Sequence, residues 1–222
     1  MTEVGGVVVE RDVVRIEGPD AEAYLQGQLS QDVAALGDGG SVWTFVLQPQ
    51  GKVDAWFRLT RLGDGVFEAD IDAGHGEALL ARLQRFLLRT KAELSAATVP
   101  MVAVRGGVIE APAGSRAADP AWPGITGVDL LGADVLPDGV APWTLEDLER
   151  TRIECGVPAM GAELTEATIP AEAGVVGRSV SFTKGCFTGQ ELVARIDSRG
   201  GNVPRHLRGV VSEAELPVGA DV

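Results

Sequence analysis

The chain is most distinctive at residues 184–191, where it reads Lys-Gly-Cys-Phe-Thr-Gly-Gln-Glu. Two glycines flank a cysteine, and a lysine stands two residues before it. Gly185 and Gly189 permit backbone turns and a close approach to a ligand that other residues resist. The ammonium of Lys184 would favour the thiolate form of Cys186, which is the nucleophilic form. The segment therefore predicts a reactive thiol, and the alternative is an inert, buried cysteine in a tight turn.

The charge around this segment differs from that of the rest of the chain. The whole chain has 19 Lys and Arg against 32 Asp and Glu, a net charge of −13. Residues 178–208 instead hold six basic and two acidic side chains, a local net charge of +4. A basic patch on an acidic protein favours one dedicated anionic ligand, and the alternative is a solvated loop face. The overall acidity argues against direct, general nucleic-acid binding.

Further candidate ligand-binding side chains lie on both sides of Lys184. Arg152 ends a predicted helix, and its fork of donors suits a carboxylate ligand, although a local ion pair explains it as well. Glu172 suits hydrogen bonds from a heterocycle, and the alternative is an exposed loop acid. We also assign cofactor-binding roles to three residues of the short helix predicted after Gly189: Gln190, Glu191 and Arg195.

Composition limits the class of protein. The chain has 222 residues, of which 45% are hydrophobic, so a substantial core can form. No stretch approaches the roughly 18 apolar residues of a membrane span, and residues 1–15 do not resemble a secretory signal. The two cysteines and two histidines are far apart in sequence, which argues against a disulfide framework and against a four-ligand zinc site. These features favour a cytoplasmic protein without a metal.

Hydrophobic periodicity predicts antiparallel strands and helices in mixed order, which is typical of the α+β class. The predicted strands are two short ones around a polar turn within residues 7–16, then 42–47, 53–59, 66–71, 91–98, 101–104, 128–130 and one that begins at 206–211. The predicted helices begin near residues 18–20, 76 and 144, with a short one at 189–197. Apolar residues fall at helical spacing in the second predicted helix, at Leu79, Leu80, Leu83, Phe86 and Leu87. In the third, Leu145, Leu148 and Ile153 lie on one face.

Taken together, these segments resemble the YgfZ family, which is related to the glycine-cleavage T-protein. Residues 184–191 resemble the family's K-G-C-[FY]-x-G-Q-E signature. Residues 152–158 resemble its R-[IL]-E-A-G-[IV]-P element, with Cys155 in place of the alanine. Residues 164–174 resemble its L-T-E…P-x-E-A-G element. Similar elements occur at residues 20–33 and 86–91, so the resemblance spans residues 13–211.

The resemblance implies a T-protein-like folate-binding fold, with antiparallel sheets and packed helices. It implies a first lobe at residues 1–105, a second lobe at 106–204, and at 205–222 the start of a truncated C-terminal β-barrel that is otherwise largely missing. Tetrahydrofolate or a derivative would lie in a central channel, in contact with Arg152 and groups near Glu172. The basic patch would face the glutamate tail of the folate. The family's conserved lysine and cysteine correspond to Lys184 and Cys186, which the resemblance suggests as catalytic residues.

The implied role is that of a folate-binding accessory protein that supports iron–sulfur enzymes, including enzymes that thiolate tRNA. These enzymes would be its protein partners, and no membrane association is expected. One alternative is a tetrahydrofolate-dependent aminomethyltransferase. The T-protein branch carries a G-G-[IV]-[IL]-D-D element, whereas residues 51–56 read Gly-Lys-Val-Asp-Ala-Trp and leave Asp54 as the candidate carboxylate. The branch's G-Y-T-G-E-D-G element is not found after Met101. Another alternative is a non-enzymatic module that senses folate.

Overall fold

A computed structural model describes residues 4–214, 216–217 and 219 of the chain. The described strands are β1 Gly5–Glu17, β2 Ser41–Leu47, β3 Val53–Gly63, β4 Val66–Asp72, β5 Glu93–Arg105, β6 Arg116–Ala118, β7 Gly127–Leu131 and β8 Ala141–Pro142. The described helices are α1 Ala21–Gln28, α2 Gly76–Gln84, α3 Leu145–Glu154, a 3₁₀ helix Pro170–Ala173, α4 Val176–Ser179 and α5 Gln190–Ser198.

All eight strands belong to one sheet, in which seven follow the order β2-β3-β4-β1-β5-β7-β6. Neighbours in this order are antiparallel. β1 pairs with β5 along its whole length but with β4 only at residues 11–17. β8 pairs with β1 in parallel at Gly5 and Gly6. The α+β prediction is confirmed. Because the one sheet contains strands from both sides of residue 105, that boundary does not separate two sheets, and the division into lobes stays a prediction.

The prediction of two short strands within residues 7–16 is wrong, because β1 is a single strand of 13 residues. Its polar residues satisfy their hydrogen-bonding groups on other segments instead of forming a turn. Arg11 binds Asp70 and Asp72 of β4, and Asp12 accepts hydrogen bonds from the N–H groups of Gly74 and Gly76. Polar side chains inside a strand are stable when they reach such partners.

The prediction of two strands at 91–98 and 101–104 is also wrong, because β5 is continuous through Pro100. The Pro100 carbonyl accepts a hydrogen bond from the N–H of Gly132, just beyond the end of β7. The nitrogen and carbonyl of one residue in an antiparallel strand face the same side, so the Pro100 nitrogen also faces Gly132. This position lies beyond the last residue pair between β5 and β7, where no strand partner needs the missing N–H.

One face of the sheet packs against α1 and α2. Leu25 of α1 and Leu79 and Leu83 of α2 join a fully apolar cluster with strand residues such as Phe57 and Phe67. Helix α2 ends at Gln84, so Phe86 and Leu87, which the periodicity places in the helix, lie beyond its end. Leu87 is partly buried and still packs against this cluster. The Phe86 ring is partly exposed and lies 4.6 Å from the guanidinium of Arg82.

The other face of the sheet carries aromatic and charged residues and is covered by the C-terminal third of the described chain. Phe45 and Trp56 pack there with Val157, Leu164 and Val193. The predicted helices at 144 and 189–197 are confirmed as α3 and α5. The predicted strand at 206–211 is wrong, because these residues are exposed and pair with no strand among the described residues. A single backbone bond, from the Leu207 N–H to the Glu172 carbonyl, holds the start of this segment.

Candidate functional site

A network of buried ion pairs lies on this second face of the sheet. Arg58 of β3 donates two hydrogen bonds to Asp70 of β4, of 2.9 and 3.0 Å, and a third of 2.9 Å to Asp129 of β7. Arg105 of β5 donates a 2.8 Å bond to the second oxygen of Asp129. Burial alone would raise the pKa of Asp129, but Arg105 and Arg58 outweigh it and lower that pKa. Asp129 therefore stays a carboxylate, and it joins Arg58 of β3 to Arg105 of β5.

Arg11 of β1 extends the network of ion pairs to the end of β4. Its guanidinium binds Asp72 and donates a 3.2 Å hydrogen bond to Asp70. Asp72 also accepts a 3.0 Å bond from the Met160 N–H, so the network holds the chain that follows α3. The buried Nε atoms of Arg11 and Arg105 have no hydrogen-bond partner among the described residues. A buried N–H group without a hydrogen-bond partner is costly, so the pairing of these guanidinium groups with carboxylates elsewhere in the network offsets that cost.

A cavity of about 360 Å³ adjoins this network. Four of the charged residues contribute to its lining: Arg11, Asp72, Arg105 and Asp129. Three tryptophans, Trp43, Trp56 and Trp122, also contribute, together with residues of α3 and of 157–159. Apolar walls with a few convergent polar groups are typical of sites for small molecules and cofactors.

The tryptophans of this cavity are held in fixed arrangements. Trp43 and Trp56 stack with ring centroids 4.1 Å apart and planes inclined by 22°. The Trp56 indole N–H donates a 2.9 Å hydrogen bond to Ser179 Oγ, which locks that ring against α4. The Trp122 ring centroid lies 3.9 Å from the guanidinium carbon of Arg105. Such a cation–π contact fixes both the aromatic ring and the charge.

Arg152 borders the cavity, but its guanidinium is already bound within the protein. It donates hydrogen bonds of 2.8 and 2.6 Å to Glu149 and of 3.0 and 3.1 Å to Glu163, and it also binds the Val157 carbonyl. The hydrogen bond to Glu149 and the contact with Glu163 raise the pKa of Arg152 despite its burial. The ion-pair interpretation therefore describes the structure. A contact of Arg152 with a ligand stays a prediction.

Helix α3 has a capped N-terminus and a largely exposed apolar face. Thr144 and Asp147 form a capping box, which confirms the predicted N-cap. Of the three apolar residues predicted on one face, Leu148 packs partly buried against a core cluster, whereas Leu145 is 64% exposed and Ile153 is 53% exposed. The buried residue of the helix is Arg152, since its two carboxylate partners and the Val157 carbonyl satisfy its donors.

Glu172 lies away from this cavity, at a separate surface pocket that also includes Glu163 and Arg205. Its carboxylate accepts a 2.9 Å hydrogen bond from the Ile169 N–H and bonds of 3.1 and 3.3 Å from Arg205. Burial acts to raise the pKa of Glu172, but these donors outweigh it and lower that pKa. The structure thus places Arg152 and Glu172 at different pockets, and the ligand role of Glu172 stays a prediction.

Lys184 is buried and binds the end of α1. Its ammonium donates hydrogen bonds of 2.6, 2.7 and 2.9 Å to the carbonyls of Gln26, Leu29 and Gln31. Burial lowers the pKa of Lys184 to about 8. These three carbonyls take up the three ammonium protons, so none is directed at Cys186. Activation of that thiol by Lys184 stays a prediction.

The rest of the signature segment is arranged around an exposed thiol. Cys186 is exposed, and Phe187 is buried in the cluster that contains Phe45 and Trp56. Gly189 has a φ of +80°, and a Cβ atom there would lie 2.5 Å from the Gln48 carbonyl oxygen in the turn between β2 and β3. At Gly185 a Cβ atom would meet nothing within 4 Å. The close approach predicted for both glycines thus occurs at Gly189, where it is to the protein's own backbone.

The three predicted ligand residues of α5 do not line the tryptophan cavity. Gln190 is half-buried, and Glu191 and Arg195 are exposed. Helix α5 instead borders an apolar pocket of about 290 Å³ through Val193, Ile196 and Asp197. Binding of a cofactor by Gln190, Glu191 and Arg195 therefore stays a prediction.

Of the residues that line the tryptophan cavity, only Arg152 was proposed from the sequence as a ligand-binding residue. A signal was present, because Arg58 stands between Phe57 and Leu59, and Asp70 stands between Ala69 and Ile71, inside predicted strands. Charged residues inside buried strands are paired with one another or with a ligand. Asp54, the candidate carboxylate for aminomethyl transfer, lies at another pocket and accepts a 2.7 Å hydrogen bond from Arg82. The geometry therefore gives that alternative no support.

Two classes of feature are absent from the described part of the chain. There, no group of three or more His, Cys, Asp and Glu side chains is arranged to hold a metal ion. None of the helices in residues 4–214 combines the length and apolar character needed to cross a membrane.

Comparison with known proteins places this geometry in a family. The chain is 32% identical over 216 residues to the mitochondrial iron–sulfur cluster assembly factor IBA57 homolog of Mycosarcoma maydis, covering 87% of this chain and 53% of that protein. It is 29% identical over 228 residues to the tRNA-modifying protein YgfZ of Cronobacter sakazakii, covering 84% of this chain and 65% of that protein. The chain belongs to the YgfZ family. It thus spans about half to two thirds of the length of these two relatives.

Two further comparisons bear on this YgfZ-family chain. An uncharacterized Haemophilus influenzae protein is 27% identical to it over 222 residues, covering 97% of this chain and 76% of that protein. The crystal structure of glycine cleavage system aminomethyltransferase T from Bartonella henselae matches with a TM-score of 0.74 at 19% identity, covering 88% of this chain and 64% of that one. The predicted T-protein-like fold is therefore confirmed. No protein-family model matches the chain.

Proposed function

We propose that this chain binds tetrahydrofolate or a derivative in the tryptophan cavity and acts in the cytoplasm as an accessory protein for iron–sulfur enzymes, including enzymes that modify tRNA. The observation that carries the proposal is the cavity of about 360 Å³, which is lined by three tryptophans and by charged residues of the buried ion-pair network. A pterin offers an aromatic face for the tryptophan walls and a polar ring edge for the charged residues of the lining. The names of the YgfZ and IBA57 relatives support the iron–sulfur and tRNA parts of the role.

The exposed thiol of Cys186 is the group we assign to chemistry with a client or a one-carbon unit. It lies on the surface of the signature segment, where a partner protein can reach it. Lys184 supports it by anchoring that segment to α1, since its ammonium bonds to three carbonyls there. A folate-sensing module without chemistry differs from this proposal in having no need of the thiol.

The proposal is tested first by titrating 5-formyltetrahydrofolate into the chain by calorimetry, with circular dichroism to show that the sample is folded. Saturable binding at one site is the expected result. A folded sample that binds no reduced folate would contradict the folate part of the proposal.

The thiol is tested in cells that lack their own YgfZ homologue, by measuring tRNA thiolation and the activity of an iron–sulfur enzyme. We expect the unmodified chain to restore both and Cys186→Ser to restore neither. The matched control is Cys155→Ser, which removes the half-buried cysteine. Full restoration by Cys186→Ser would favour the folate-sensing module.

A further inference from the structure

A second pocket, of about 280 Å³, lies beside α2. We call it the α2 pocket, and it shares no lining residue with the tryptophan cavity. Pockets for drug-sized ligands range from about 300 to 1,000 Å³, so the volume of the α2 pocket limits its ligand to a small molecule. The ionisable side chains of its lining are Asp54, His75, Arg82, Arg85 and Glu166.

The basic side chains of the α2 pocket come from one helix. His75 is the N-cap of α2, Arg82 lies in its last turn, and Arg85 is its C-cap. Residues three, four or seven positions apart share one side of a helix, so these side chains follow the same face. Ala78 lies on this face and lines the pocket, and its short side chain leaves space for a ligand. The His75 imidazole lies close to the backbone of Gly161, where a Cβ atom would be 3.2 Å from Nε2.

The acidic side chains of the α2 pocket come from other elements, namely β3 for Asp54 and the chain after α3 for Glu166. Arg82 donates a 2.7 Å hydrogen bond to Asp54 and a 2.9 Å bond to the Leu47 carbonyl. The Arg82 side chain is only 10% exposed, so it fixes the Asp54 carboxylate at the pocket. Arg82 is therefore already satisfied within the protein and acts as a positioning residue.

The other charged groups of the α2 pocket are not paired in this way. The side chains of His75, Arg85 and Glu166 line the pocket but make no hydrogen bond or ion pair with any described residue. The second oxygen of Asp54 likewise accepts no hydrogen bond within the described part of the chain. The pocket thus offers donors from α2 and carboxylate acceptors from two other segments. A ligand with one sign of charge would leave one of these sets without a partner.

We propose that the α2 pocket binds a free α-amino acid with an aliphatic side chain. The carboxylate of the ligand accepts hydrogen bonds from Arg85 and His75, and its ammonium donates to Asp54 and Glu166. The aliphatic side chain packs on the apolar part of the lining, which includes Ile71, Leu79 and Met160. This inference is independent of the proposed folate binding, because the two cavities share no lining residue.

The test measures affinities by ligand-observed NMR at millimolar ligand concentrations. The amino-acid probes are L-leucine, L-isoleucine, L-valine and L-methionine. Two analogues of leucine each lack one charge: 4-methylpentanoate has no ammonium, and 3-methylbutylamine has no carboxylate. Thermal unfolding shows that every protein sample is folded.

Two variants each remove one charge from the pocket, and each has a matched control. Arg85→Gln removes a cation, and its control is Arg89→Gln, at an exposed arginine outside the lining. Glu166→Gln removes an anion, and its control is Glu77→Gln, at an exposed glutamate of α2 outside the lining.

We expect saturable binding of L-leucine and weaker binding of both analogues. Arg85→Gln should weaken L-leucine and 4-methylpentanoate by about fivefold, the upper end for an exposed ion pair, and leave 3-methylbutylamine unchanged. Glu166→Gln should weaken L-leucine and 3-methylbutylamine and leave 4-methylpentanoate unchanged. Both control variants should bind like the unmodified chain.

Three outcomes would overturn the inference. The first is a folded chain that binds none of the four amino acids. The second is 4-methylpentanoate or 3-methylbutylamine binding as tightly as L-leucine, which would identify a site for a simple anion or cation. The third is an equal loss for all three leucine probes in Arg85→Gln, which would indicate a change in the structure of the pocket rather than the loss of a carboxylate partner.

Discussion

The ammonium of Lys184 donates a 2.7 Å hydrogen bond to the carbonyl oxygen of Leu29, the residue that caps the C-terminal end of α1. The last carbonyls of a helix have no intrahelical donor. Lys184 supplies that donor from a segment 155 residues further along the chain. The lysine of the signature segment therefore joins the C-terminal part of the described fold to its first helix.

Replacing Lys184 with methionine keeps much of the side-chain volume but removes the three hydrogen bonds from its ammonium to backbone carbonyls. We expect the free energy of unfolding to fall by about 1–3 kcal/mol, because buried carbonyls lose their donor. Urea unfolding followed by circular dichroism measures this change. Thr183→Ala is the neighbouring control, since Thr183 is exposed. Equal urea midpoints for Lys184→Met and the unmodified chain would rule out a structural role for the lysine.

The two glycines of the signature segment should respond differently to alanine. Gly189→Ala puts a Cβ atom 2.5 Å from the Gln48 carbonyl oxygen at a residue with a φ of +80°. We expect it to lower the free energy of unfolding by more than about 1 kcal/mol. Gly185→Ala meets no atom within 4 Å and should be close to neutral. Thermal unfolding of the two variants side by side measures this difference in stability. Equal losses of stability would contradict the predicted clash at Gly189.

Glu163 should contribute a pH-dependent part of the stability. Burial acts to raise its pKa, but the hydrogen bonds from Arg152 and the Ala159 N–H outweigh it, so the pKa lies below the ordinary value of 4.5. Because the pKa is lowered on folding, this contribution is complete above about pH 4.5 and is lost as the pH falls through the folded-state pKa. Glu163→Gln should flatten the dependence of the melting temperature on pH in that acidic window.

Melting temperatures measured by differential scanning calorimetry between about pH 3 and pH 7 test this prediction. Glu77→Gln is the control, because Glu77 is exposed on α2. If Glu163→Gln and Glu77→Gln gave parallel curves, Glu163 would not be the group responsible.

The two cysteines should react with a thiol reagent at different rates. Cys186 is exposed, whereas Cys155 is half-buried and burial raises its pKa. The thiolate is the reactive form, so we expect Cys186 to react several times faster with Ellman's reagent at neutral pH. Cys186→Ser should abolish the fast phase and Cys155→Ser the slow one. A single phase in the native chain would show that the two thiols are equally accessible.

Local signals predicted much of the fold. The Thr144 cap and the helix after Gly189 followed from neighbouring residues, and the signature segment identified the family. The continuity of β1 was not predicted, because the polar pair Arg11 and Asp12 looks like a turn until partners about 60 residues away are known. The continuity of β5 was not predicted for a similar reason. Pro100 is tolerated in this strand because it lies at the end of the region paired with β7, and that position depends on where β7 stops.

The candidate site was less predictable, because its partners are set by sheet register. Sequence alone did not show that Arg58 faces Asp70 and Asp129, or that the donors of Arg152 are satisfied by Glu149 and Glu163. The positive φ of Ala121, +53°, was not predicted either, since alanine favours other conformations. Side chains whose roles depend on long-range pairing are therefore visible only once the fold is known.

The pairing of β1 with β5 has a consequence for how the protein is made. β1 is synthesised before each of its neighbours, yet its full-length partner ends at Arg105. On the ribosome, β1 exposes an unpaired strand edge until about 90 further residues have emerged, and such edges favour wrong pairing. Folding of the sheet is thus coupled to late synthesis, and an arrest of translation before residue 93 would release a chain with an aggregation-prone edge.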